Sequence, residues 1–474
     1  MTLVLTGDDL SIDDVVAVAR DGRRVELAPA AMERIRAGHG LVLRMLEEDR
    51  PVYGLTTGVG ALRDIRQDAA AAERYAHLSI EAHRTSHGPV LPADVVRAAM
   101  VHRANTLARG RAMVRTEVAQ AYVDALNDGD TPTVHAIGSV GQSDLPAMAE
   151  IAHHLIRRGL RLRQGEALPM LNANCLSVGH SALAVHDAAR LVETYEAVGA
   201  LSLEGFHANS SVLHADIADA RPYAGLRRSL ARLRELLAGS YLWRPEPTRQ
   251  LQDPLSFRCL PQIMGAARDV LGYTAGQLTT ELNASGDNPM LAPGDVTIVS
   301  VGNFDITPVA AALDLLRLSL AQVLTPSNER VQKHITERFS GLPTGLRPHA
   351  GPEDGLTLIG GGAAALAAEA RLLALPVSLE LPTSTIAGGI EDRLTMAPLG
   401  ARRLADMVEL GVRLAAVELV VAAQAVDLRG HPPLGEGTAP IYRGVRERVA
   451  FVGPEEAPDY DLDALAGWVA AGAR

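Results

Sequence analysis

The 474 residues carry a formal net charge of -11 and a pI near 5.8, which argues against nucleic acid or an anionic membrane as partner, because both demand a concentrated basic face. Hydrophobic residues reach 47% while aromatics stop at 3%, so Ala, Leu and Val must fill the interior, as they do between closely packed helices. The length exceeds what one simple core fills, and the expected fold is all-α, a long central helix bundle with small β pieces near the N-terminus.

In chain order, β-like pieces at 2–5 and 24–27 flank Ser11-Ile12-Asp13-Asp14, whose serine reads as a helix N-cap. A helix is predicted over 30–49. Behind it Tyr53-Gly54-Leu55-Thr56-Thr57-Gly58-Val59-Gly60 reads as a loop. Helical periodicity returns over 70–80 and 92–110. At 138–146, Asp144 with Pro146 two residues on, followed by Ala147, Ile151 and Leu155, marks a helix start, so Ser143 and Asp144 stand where the macrodipole favours negative charge. Long helices are predicted over 177–203, 308–324 and 400–428, with a shorter one over 361–375 and polar loops at 252–262, 283–289, 302–308 and 381–396. The most apolar window, 414–426, is broken by Glu418, so no membrane span is expected. Cys175 and Cys259 lack CxxC spacing, and the N-terminus shows no signal pattern. These features point to a cytoplasmic location with no disulfide and no metal site. An N-terminal part, 1–200, and a bundle and C-terminal part, 201–474, are expected to form one continuous structural unit.

Singly, the polar loops say little. The glycine-rich loop lacks the GK[ST] ending of a phosphate cradle, His83 reads as a surface histidine, and Arg258 as an ion-pair partner. In order along the chain they say more: YGLTTGVG at 53–60, GSVGQSDL at 138–145, LPMLNAN at 168–174, LQDPLSFRCLPQIMG at 251–265, NASGDNP at 283–289, GNFDITP at 302–308, and LPTS with ED.LTMAP over 381–398. This set resembles the aromatic amino acid lyases, the family of histidine and phenylalanine ammonia-lyases and the related aminomutases. The resemblance implies a helical homotetramer whose active sites draw loops from three subunits and take a small-molecule substrate. It also implies a prosthetic electrophile, methylidene-imidazolone, formed autocatalytically from Ala-Ser-Gly at the head of a helix. By the same resemblance Tyr53 removes the β-proton, Arg258 pairs with the substrate carboxylate, and His83 lies on the ring side of the pocket. Asn172, Gln252, Phe304 and Glu391 fall on active-site positions.

The family pattern G-S-V-G-A-S-G-D-L is altered here. Gln142 replaces the alanine, and Asp144 follows Ser143 with no glycine between them. The cyclising nitrogen would belong to a residue bearing a Cβ, in a loop one residue short, so ring closure and the cofactor are not expected. Ala284-Ser285-Gly286 lies inside a different motif and reads as coincidence. Leu255 stands where the family has a catalytic tyrosine, and Ala173-Asn174-Cys175 replaces Gly-Thr-Gln. The loop over 385–390 is longer, Gly-rich and apolar, with Ile390 at a glutamine position, so a more apolar pocket is expected.

The expected function is proton transfer without the prosthetic group, on a small carboxylate-bearing substrate with an aromatic or heteroaromatic ring. Elimination, isomerisation and cyclisation all fit. Tyr53 would move the proton, its pKa drawn below about 10 by its neighbours. Arg258 would hold the carboxylate, and Ser143 and Asp144 would stand where the electrophile normally does. Asp144 is a second acid or base, or a helix cap. The alternatives are a non-catalytic tetrameric binding or scaffold protein, and an ammonia-lyase or aminomutase with an unusual electrophile.

Overall fold

The computed structural model describes residues 2–67, 71–244, 249–348, 355–379, 386–453 and 456–472. Among them helices dominate, and the strands form three two-stranded sheets. Leu3–Leu5 pairs in parallel with Val25–Leu27, His87–Val90 runs antiparallel to His135–Ile137, and Met290–Ala292 antiparallel to Thr297–Val299. Between the first two strands Ser11 closes a capping box: its hydroxyl accepts the Asp14 N–H at 3.1 Å, and the Asp14 carboxylate accepts the Ser11 N–H at 3.3 Å.

Chain contacts divide the protein into two compact units. The first holds Met1–His186, Thr274–Asp314 and Pro376–Arg402; the second holds Asp187–Tyr273, Leu315–Leu375 and Arg403–Arg474. Four of the five boundaries fall inside the long helices Cys175–Phe206, Leu260–Leu282, Thr307–His334 and Ala397–Leu428. A single cut near residue 200 therefore does not separate them. The helix predicted to stop at 324 runs on to His334 through Pro326, and Leu260–Leu282 is a long helix that the glycines at 265, 272 and 276 hide from periodicity.

That continuation matters to the second unit, because it delivers Ser327 and Arg330. Glu418, fully buried, accepts Arg330 Nε at 2.6 Å and Nη2 at 2.9 Å, with the Ser202 and Ser327 hydroxyls each at 2.6 Å. A carboxylate so completely paired tolerates burial that an isolated one would not. Among the described residues Thr307–His334 is the one helix long and apolar enough to cross a membrane, and most of its apolar window is buried within the fold.

Candidate active site

The first unit contains a cavity of about 1020 Å³. Six of the residues singled out in the sequence line it: Tyr53, His83, Ser143, Asn172, Phe304 and Glu391. Tyr75, Leu78, Leu145, Leu168, Ile386 and Ile390 make much of the wall apolar.

Tyr53 heads its loop, and Gly54 at φ +68° lets that loop press on Leu168; a Cβ there would lie 2.4 Å from Leu168 Cδ2. The Gly60 N–H donates to Tyr53 Oη at 2.9 Å. Burial pushes the Tyr53 pKa up and the charge of Glu391 adds to it, against the pull of the Gly60 N–H and Arg63. The expected downward shift is thus reversed, because burial outweighs the donor, and Tyr53 is a phenol at neutral pH. Burial also raises Glu391, which His83 opposes. His83 closes the helix Ala72–His83, its Nδ1 2.7 Å from Ser79 O.

The loop over 138–146 is pinned at each step. Gly141 sits at φ +82°, where a Cβ would lie 2.2 Å from Thr395 Oγ1; that hydroxyl donates to Gly141 O at 2.7 Å. Gln142 Nε2 donates to Asp305 Oδ2 at 3.1 Å. Ser143 is a non-glycine residue at φ +64°, a conformation that persists only where the surroundings enforce it. Its buried hydroxyl donates to Asn172 Oδ1, and Asn172 Nδ2 in turn donates to Asn288 O at 2.7 Å.

Asp144 was expected as a second acid or base or as a cap on the helix it precedes. It is fully buried, does not line the cavity, and makes no side-chain cap on the helix Leu145–Arg157 that it precedes. Instead its carboxylate accepts Ser139 Oγ at 2.6 Å, Ser177 Oγ at 2.8 Å and Ser177 N at 2.7 Å, capping the start of Cys175–Phe206. Burial raises its pKa. Its own N–H donates to Ala173 O at 2.8 Å.

Gln252, Leu255 and Arg258 belong to the second unit and line no part of this cavity. Arg258 Nη1 donates to Gln252 Oε1 at 2.5 Å. Phe257 between them stacks on Phe206 with ring centroids 3.9 Å apart, and Ser256 O accepts Arg330 Nη1 at 3.1 Å. Leu255 is 61% exposed. Phe257 and Ser256 are buried while Gln252 is exposed and Arg258 half-buried.

Three lining residues were missed in the sequence: Asp305, Arg393 and, as a binding group, Gln142. Arg393 Nε donates to Asp305 Oδ2 at 2.6 Å, and Thr307 N to Asp305 Oδ1 at 2.9 Å. Burial alone would raise Asp305, but Thr307 and Arg393 outweigh it and hold the carboxyl at about 2. Asp305 directly follows the recognised Phe304, and Arg393 lies two residues after the recognised Glu391, inside the same motifs. The Leu381–Ser384 motif and Thr385 lie outside the described residues. Among the described residues no cluster of three or more His, Cys, Asp or Glu could hold a metal ion.

The sequence pattern of the aromatic amino acid lyases matches residues 10–160 and 157–447. A histidine ammonia-lyase of Symbiobacterium thermophilum is 34% identical over 98% of this chain and 96% of its own. One of Anaeromyxobacter dehalogenans is 35% identical over 100% and 99%. Among solved structures, the ergothioneine-degrading ergothionase of Treponema denticola, in complex with desmethyl-ergothioneine sulfonic acid, superposes with a TM-score of 0.92 at 28% identity, covering 99% of this chain and 98% of that one.

Proposed function

The chain belongs to the aromatic amino acid lyase family, whose members are lyases, and from that premise we propose that it eliminates a nitrogen leaving group from a small ring-bearing carboxylate without forming methylidene-imidazolone. The observation that carries this reading is the state of residues 142–144. The nitrogen that would cyclise is the Asp144 amide, already donated to Ala173 O at 2.8 Å. Its side chain is fixed by Ser139 and Ser177, and Gln142 is anchored to Asp305. These residues do not fit the ring.

An elimination without that electrophile needs a substrate that supplies its own activation. Asp305 is paired with Arg393, which leaves the carboxylates Glu391 and Asp392 on the wall, a setting that favours a cationic nitrogen. Such a cation beside Glu391 would offset the charge that raises Tyr53. Tyr53 would first give up its phenolic proton to solvent, and the phenolate would then take the proton from the carbon next to the ring, the C–N bond breaking with its electron pair going to nitrogen as a C=C bond forms. The carboxylate would be held by Arg258 of another copy in a homotetramer; exposed Leu251 and Leu255 beside it support that placement. The free cysteines agree with a cytoplasmic home. The names of the sequence relatives favour a second reading, a histidine ammonia-lyase that does carry the ring.

Intact mass and trial turnover of histidine and ergothioneine separate the two. An unmodified mass, elimination from an activated ammonium substrate, and a loss of roughly 100-fold or more in Tyr53→Phe support the first reading. A mass short by two waters with histidine turnover establishes the second. Restored activity on mixing Tyr53→Phe with Arg258→Ala subunits would test the shared site.

A further inference from the structure

Among the described residues lining the cavity, Gln142 is the one with a buried side-chain polar atom, Oε1, that no protein group satisfies. Its amide cannot turn over to relieve this. Nε2 donates to Asp305 Oδ2, and Asp305 is kept anionic by Arg393 Nε at 2.6 Å and by Thr307. A flipped amide would set its oxygen against that carboxylate. The orientation is therefore dictated by charge: the NH₂ faces Asp305 and the acceptor is left over. An unmet buried acceptor is costly unless something donates to it, and this one stands at a position where the family carries a small alanine.

We propose that Gln142 is a specificity-determining residue, its Oε1 accepting a hydrogen bond from an N–H of the substrate. The side chain that displaces the ring-forming alanine becomes the group that reads a nitrogen on the ligand. This rests on the reading that residues 142–144 stay uncyclised. The donor has two possible sources, a ring N–H or an amine N–H, and three inert probes distinguish them: imidazolylpropanoate carries only the first, phenylalanine only the second, and phenylpropanoate neither.

Binding of each probe is measured by calorimetry on the full-length protein and on Gln142→Met, which keeps the length and removes the acceptor. Thermal melts check that the variant is folded. The expected result is a loss of roughly 10-fold for one donor probe in Gln142→Met and no change for phenylpropanoate. Equal losses for all three probes, no loss for any, or no binding of either donor probe would overturn the inference. Intact mass of the same sample keeps the two failures apart. A mass short by two waters defeats the uncyclised reading, whereas an unmodified mass with no discrimination defeats the assignment of Gln142 alone.

Discussion

Ser143 and Ser285 both lie in polar loops of the first unit, and the residues around them point the wrong way. Ser285 has the alanine and glycine neighbours of an electrophile-forming tripeptide, yet Ala284, Ser285 and Gly286 do not line the cavity. Its hydroxyl donates to Asp287 Oδ2 at 3.2 Å, and Asp287 is gripped by Arg103 at 2.8 Å with both side chains 2% exposed. Ser143 lacks those neighbours and still occupies the cavity wall, held at a left-handed φ by Gly141, Asn172 and the cap made by Asp144. A tripeptide is only letters until a helix start and a cavity surround it. The Ala284-Ser285-Gly286 loop is a brace, and the Gln142-Ser143-Asp144 loop is part of the candidate site.

If that division is right, breaking each loop has a different signature. Arg103→Leu should show the largest effect, because it leaves Asp287 buried and unpaired: about 3–5 kcal/mol of stability by chemical denaturation. Much of it should return in the double variant Arg103→Leu with Asp287→Leu. A loss under about 1 kcal/mol would mean the pair is not a brace. Asp144→Ala should come next. It strips a cap from Cys175–Phe206 and orphans two serine hydroxyls, which costs about 2 kcal/mol, measured in the same way.

Much of this was legible beforehand. Ser11 was readable as a cap because the aspartate that completes its box is only three residues away, and the small β pieces and most long helices followed from periodicity. Six cavity-lining residues could be named from the sequence because enough of the surrounding motifs remains to align them, even where the motif around Ser143 is altered. What could not be read is anything set by distant partners. Asp144 was read as serving the helix beside it, whereas its carboxylate serves one that begins more than a full loop later, at Cys175. The helix expected over 308–324 runs on past Pro326 to His334. Tyr53 was expected to be more acidic under the influence of its neighbours, but burial and Glu391, far along the chain, decide the direction.

The loops can also be compared by trying to exchange their chemistry. Gln142→Ala with a glycine inserted between Ser143 and Asp144 restores the family letters where the cavity is. The expected outcome is a mass short by two waters, mapped by peptide digestion to this loop, while the peptide spanning 284–286 stays unmodified. Loss of water from 284–286 instead would reverse the distinction between brace and site. An unmodified mass throughout would show that Asp144 and Ala173 lock the loop even at its full length.

The smallest expected effect lies at Tyr53, where the cavity's electrostatics can be read without substrate. Its pKa is raised above 10.0 by burial first and by Glu391 after it. The folded state therefore holds the phenolic proton longer than the unfolded chain does. The linked stability is fully present below the unfolded value and is lost as pH rises through the folded one. Glu391→Gln removes the charge but not the burial, so the Tyr53 midpoint should move down only part of the way toward its ordinary value. Ultraviolet difference titration of wild type and Glu391→Gln, each referenced to its Tyr53→Phe counterpart, reads that midpoint directly. A midpoint that moves up, or one already below 10 in the wild type, would mean that donors outweigh burial here and that Tyr53 is poised as a base before any cation binds.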